Sequence, residues 1–162
     1  PSEATVYEDA QVAWERFAQL QPDRNKRLIF GHSLGGAVAV ELAAELSRQA
    51  QKDGSQSAAR GLILASTFTS LGDVAAVVAD TALPVRWLLS QKFDSIDKID
   101  QVGMPVLLVH GQDDRSVPPR FSQQLYEAAQ QPKTLLLVPG ASHNNSMSLA
   151  GPRYRQAIKA LL

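Results

Sequence analysis

The chain has no cysteine among its 162 residues. That excludes a disulfide-stapled scaffold, a thiolate nucleophile and a metal site built on cysteine. It has no excess of either charge, because 16 basic residues balance 16 acidic ones. The electrostatic footprint of a nucleic-acid-binding protein, or of one drawn to an anionic membrane surface, is therefore missing. No apolar run approaches the roughly 18 residues that a bilayer-spanning helix requires. The three histidines, at 32, 110 and 143, are scattered and lack a carboxylate cluster, so they give no metal-ligand spacing. There is no glycine-rich phosphate loop, no internal repeat and no low-complexity tract. The first residue is Pro1, and no leader-like segment opens the chain. No cofactor is implied. What is present, 44% hydrophobic and 20% charged residues, is enough for one globular domain with a real core.

The hydrophobic pattern alternates between two periods. Val6, Ala10, Ala13, Trp14 and Phe17 recur at helical spacing and predict an amphipathic helix over residues 3–20, broken by Pro22-Asp23-Arg24-Asn25. A strand is expected at 27–31, then an alanine-rich helix running to about Gln51 and stopped at Asp53-Gly54. Gly61 to Ala65, Pro105 to Val109 and Leu135 to Val138 are short, wholly apolar runs of the kind buried on both faces of a parallel sheet. Helices are expected from Pro119 to Gln130 and again where Tyr154, Ile158 and Leu161 recur. The order α-β-α-β-insert-β-α-β-α predicts an α/β fold, a three-layer α/β/α arrangement on a parallel sheet. Residues 67–103 form the irregular insert, a short lid-like segment within a single domain spanning 1–162.

Gly31-His32-Ser33-Leu34-Gly35-Gly36 stands where the first strand gives way to the buried helix. A G-x-S-x-G arises by chance in roughly one chain in twenty of this length. Its strand-before, helix-after setting is what makes Ser33 a candidate nucleophile on a sharp turn. Gly31 and Gly35 are expected where a Cβ would collide as the chain doubles back. Ser33 would sit at a helix N-terminus, and the N–H of Leu34, the residue after it, is the expected oxyanion donor.

Such a serine needs a base, and the base needs an orienting carboxylate. His32 adjoins the serine, so its side chain is expected to turn away along the elbow. His110 ends a strand before Gly111, where a structural role is expected. His143 lies in the loop after the last strand, at the carboxyl edge where open α/β sheets gather their ligands, and is the expected base. The loop after the preceding strand offers both Asp113 and Asp114, either of which would also suit a turn or a helix cap.

Three pieces carry a resemblance: GHSLGG at 31–36, HGQDDRSVPP at 110–119 and PGASHNN at 139–145. With them the chain resembles the C-terminal half of an α/β-hydrolase. The pattern H-G-x-x-D-x-x-V-P of that family places the triad acid on Asp114. ASTFTSL at 65–71, PVRWLLSQKFDSIDKI at 84–99 and LYEAA at 125–129 are similar to a branch holding lysophospholipid lipases, protein depalmitoylases and bacterial hydrolases. The resemblance implies a sheet equivalent to strands five to eight, without the N-terminal half of the sheet and its second oxyanion donor. It implies ester or thioester hydrolysis through an acyl-serine, with Ser33, Asp114 and His143 as triad and a small or lipid-like acyl ester as substrate. Phe68 and Trp87 are candidate walls for the acyl chain, with interior packing the competing reading. The strand at 27–31 would be an open edge, suited to self-association or to a partner chain carrying the missing strands. The alternative function is thus a non-catalytic half-domain. The resemblance is compatible with a cytoplasmic protein or with one anchored through an N-terminal membrane segment, as branch members often are.

Overall fold

A computed structural model of the chain describes residues 2–79 and 90–161. Ten regular elements follow in order: α1 (Glu3–Leu20), β1 (Leu28–His32), α2 (Leu34–Asp53), β2 (Gly61–Ala65), α3 (Leu71–Ala79), β3 (Val106–Gly111), α4 (Arg120–Ala128), β4 (Lys133–Val138), α5 (Ser146–Ala150) and α6 (Pro152–Leu161). The strands form one four-stranded sheet in the order β1-β2-β3-β4, every pair parallel. This is the expected α/β architecture on a parallel sheet.

The sheet's burial follows from its sequence. Every residue of β2 and β3 is buried, as their unbroken apolar runs require in strands covered on both faces. The edge strands β1 and β4 are less completely covered. On one face, Val40, Ala43 and Ala44 of α2 pack with Leu62, Leu64, Val106 and Leu108 of the sheet, joined by Trp14 of α1 and Leu125 of α4. On the other, Ile63, Leu107, Val109 and Leu136 meet Ala150 of α5 and Ile158 and Leu161 of α6. Successive neighbouring parallel strands joined by right-handed crossovers put their connecting helices on one face, which leaves the other to the C-terminal helices.

Boundaries differ from expectation by small amounts with identifiable causes. Gly54 ends α2 in the left-handed region at φ 63°, so the helix continues to Asp53. Arg27 donates to the carbonyls of Ala18, Gln21 and Pro22 at 3.0, 2.6 and 3.1 Å, closing the end of α1 just before β1 begins.

The stretch 67–103 is more regular than its sequence suggests. It holds α3, and Asp73 N–H bonds the Ser70 hydroxyl at 3.1 Å as the helix starts. Phe68, Phe93, Ile99 and Val102, on both sides of the segment outside the described residues, are buried.

Candidate active site

The turn at Ser33 is built by contact. Ser33 has φ 52° and ψ −122°, a conformation that L-residues rarely adopt. Its N–H bonds Ala65 O of the neighbouring strand at 3.0 Å, and its carbonyl accepts from Gly36 N and Thr67 Oγ1 at 2.9 and 2.8 Å. A Cβ on Gly31 would lie 2.6 Å from Gly36 Cα, and one on Gly36 would lie 2.5 Å from Thr67 Cβ. The expectation for Gly35 is corrected: a Cβ there would meet nothing within 4 Å. The close approach needs glycine at 31 and 36, whereas Gly35 faces open space beside β1.

Ser33, His143 and Asp114 are brought into one hydrogen-bonded line. Ser33 Oγ is 3.1 Å from His143 Nε2, and His143 Nδ1 is 2.7 Å from Asp114 Oδ2. The carboxylate can only accept, so Nδ1 carries the proton and Nε2 presents its lone pair to the serine hydroxyl. Asp114 is 5% exposed, and its Oδ1 accepts from Ser116 N and Val117 N at 2.9 Å each. The two aspartates differ in placement. Asp113 is exposed and uses its backbone N–H to hold Ala141 O at 2.9 Å. That bond, with Gln112 N–H on Val138 O at 3.0 Å, pins the acid loop to the histidine loop.

Leu34 is the first residue of α2, where an N–H has no carbonyl partner within the helix. Phe68 is an interior residue among the described ones. It is 3% exposed and packs with Ala37, Phe93, Val117 and Phe121. Trp87 lies outside the described residues.

Sequence reasoning missed several groups that surround the triad. His32 does not turn away: its Nε2 donates to His143 O at 3.0 Å and the two rings lie 5.0 Å apart. Thr67 steadies the elbow from the end of β2. His110 is fully buried, as a structural histidine should be, yet its Nε2 is 3.2 Å from Asp114 Oδ2. Burial holds the His110 pKa below the ordinary histidine value, against the pull of the Val117 carbonyl and Asp114. The available signal was a histidine closing a wholly apolar strand, a buried polar group that had to find partners. Among the described residues, no group of three or more His, Cys, Asp or Glu is disposed to hold a metal ion, and no helix is long and apolar enough to cross a membrane.

Beside the elbow, the outer edge of β1 borders an apolar groove of about 390 Å³ between α1, β1 and α2. Trp14, Phe17, Ile29, Phe30, Gly35 and Leu42 are among its lining residues. Phe30 is 50% exposed.

A parallel sheet with a strained serine between strand and helix is the frame of the α/β-hydrolase superfamily, and solved structures bear out the fold. A monoacylglycerol lipase of Paleococcus ferrophilus superposes with a TM-score of 0.62 at 17% identity, covering 99% of this chain and 75% of that one. The esterase domain of a Rhodothermus marinus protein gives 0.64 at 24% identity, over 96% and 67%. A family model described as Serine hydrolase (FSH1) matches residues 18–143. The chain belongs to that serine hydrolase family. It is 39% identical to an uncharacterized protein of Mycobacterium tuberculosis, Rv2307c, over all of this chain and 54% of that protein. It is 34% identical to alpha/beta hydrolase domain-containing protein 17B of Xenopus laevis, over 90% of this chain and 45% of the relative. The chain thus spans about half the length of the curated relatives it matches.

Proposed function

We propose that the chain is the triad-bearing half of a serine hydrolase that cleaves carboxylic esters or thioesters through an acyl-Ser33 intermediate. The observation that carries this reading is the line from Ser33 Oγ through His143 to buried Asp114, at 3.1 and 2.7 Å. In the first half-reaction His143 Nε2 takes the hydroxyl proton as Ser33 Oγ attacks the carbonyl carbon. The carbonyl electron pair moves to oxygen, and the N–H of Leu34 supplies one oxyanion bond. Asp114 holds the imidazole in its Nδ1–H form and stabilises the imidazolium. Collapse breaks the C–O or C–S bond, and His143 returns its proton to the leaving alcohol or thiol. Water then attacks the acyl-serine with His143 again as base, releasing the carboxylic acid and restoring Ser33. The apolar surroundings of the elbow favour a small or lipid-like acyl group.

A fluorophosphonate probe should label the protein on Ser33, and Ser33→Ala should abolish labelling. Equal labelling of the variant would sink the assignment.

The open edge of β1 favours a second element of the reading. Its N–H and C=O groups, which no strand pairs among the described residues, and half-exposed Phe30 suit an added strand with apolar side chains, from the same polypeptide or another. The second oxyanion donor would come with that addition. On this reading the described residues arm the nucleophile, and the added strands complete the cleft.

A further inference from the structure

His110 closes β3 with its side chain fully buried, a titratable group that the acyl-transfer steps do not use. Its partners fix its chemistry. Nε2 lies 2.8 Å from Val117 O, which can only accept, so Nε2 carries a proton and donates it. Nδ1 lies 2.6 Å from Ser122 Oγ on α4. A neutral ring presents a lone pair at that nitrogen, so the Ser122 hydroxyl donates to it. The same Nε2 is 3.2 Å from Asp114 Oδ2, the oxygen that receives the His143 Nδ1 proton at 2.7 Å. Two imidazoles therefore meet one carboxylate oxygen.

We propose that Ser122 and His110 form a positioning pair for the acid of the triad, a neutral imidazole locked as its Nε2–H tautomer that braces Asp114 and the Val117 carbonyl. Neutrality is the essential property. A cationic His110 would compete with the His143 imidazolium for the same carboxylate oxygen, and the two like charges would repel. Asp114 and His143 are the titratable groups that act on His110 electrostatically. The Ser122 hydroxyl occupies the one site where a second proton could be added, and burial penalises that proton further. Neither residue touches a reacting atom; both act through Asp114. The catalytic meaning of the pair rests on the serine-hydrolase reading, whereas the ring states do not.

With three histidines in the chain, ¹⁵N-histidine labelling of the whole protein gives a spectrum simple enough to decide the matter. At neutral pH His110 is expected to be a neutral Nε2–H ring and His143 an Nδ1–H ring, told apart by their ring ¹⁵N shifts. His110→Leu removes the N–H beside Oδ2 and is expected to shift the His143 Nδ1–H resonance and to slow fluorophosphonate labelling of Ser33 by about threefold or more. His110→Gln, whose amide can refill that place, is expected to bring both back towards wild type. The proposal is overturned by a proton on His110 Nδ1, or by a folded His110→Leu in which the His143 resonance and the labelling rate are both unmoved. If that variant does not fold, Ser122→Ala decides. The His110 Nδ1 resonance should move towards that of an unbonded nitrogen, and an unmoved resonance overturns the pairing. Absence of Ser33 labelling beside the expected ring states would count against the hydrolase reading and not against the pair.

Discussion

Ser33 reaches its position at a conformational cost. A non-glycine residue at φ 52° and ψ −122° stores on the order of 1–3 kcal/mol, held only where the surroundings over-determine it. Here the Ala65 carbonyl, the Gly36 N–H and the Thr67 hydroxyl all grip the Ser33 backbone. Gly36 is part of that grip, because its missing Cβ is what lets Thr67 approach. Gly36→Ala should therefore lower stability by about 1–3 kcal/mol through overpacking. Gly35→Ala, one residue earlier in the same helix but facing open space, should leave stability unchanged or raise it by about 0.5 kcal/mol. Urea midpoints of the two variants check the pair, and equal losses would remove the distinction.

At the scale of elements, the N-terminus of α1 is tied to the backbone at Lys92 and Phe93. The Glu3 carboxylate accepts from Lys92 N, Phe93 N and the Tyr7 hydroxyl at 2.7, 3.0 and 2.8 Å. Partial burial opposes its ionisation, but these donors together with Lys98 outweigh it and hold the Glu3 pKa below the ordinary 4.5. A depressed folded pKa makes this tie fully present above about pH 4.5 and lost as the pH falls through the lower folded value. Hydrogen-exchange protection of the Lys92 and Phe93 amides should fall on acidification, and Glu3→Ala should show the reduced protection already at pH 7. Wild-type protection in the variant would show that the carboxylate does not hold the segment.

The same scale shows what the sequence made legible. β2 and β3 were readable because strands covered on both faces need unbroken apolar runs. The triad order was readable because each member follows its own strand. α3 was not, since LGDVAAVVA is apolar almost all round and leaves no amphipathic stripe to count. Gly35 was misjudged because G-x-S-x-G marks the turn without saying which glycine is crowded. The His32 and His110 contacts bridge residues 111 and 4 positions apart to the triad loops. The first joins the ends of β1 and β4, opposite edges of the sheet, and the second depends on how the loop after β3 turns back, and neither is written in the sequence pattern.

For the whole molecule the open edge is the dominant feature. Phe30 at 50% exposure, with Phe17 at 39% and Leu34 at 46%, forms apolar surface along the outer edge of β1, which is open among the described residues, while the zero net charge offers little repulsion between copies. The chain alone should self-associate in a concentration-dependent way, and Phe30→Lys should shift it towards the 17.5 kDa monomer in size-exclusion chromatography. A monomeric wild type at high concentration would show that the edge needs no cover.

The pinning of the acid loop to the histidine loop has a consequence for how such a protein could be switched. Those bonds run between β3 and β4, on the far side of the sheet from the open strand. The loops carrying Asp114 and His143 are thus held to each other by bonds that do not use the outer edge of β1, whereas Ser33 sits at the end of β1 itself. On the proposed reading the chain would act as one half of a complementation pair, in which turnover reports that the two halves have met.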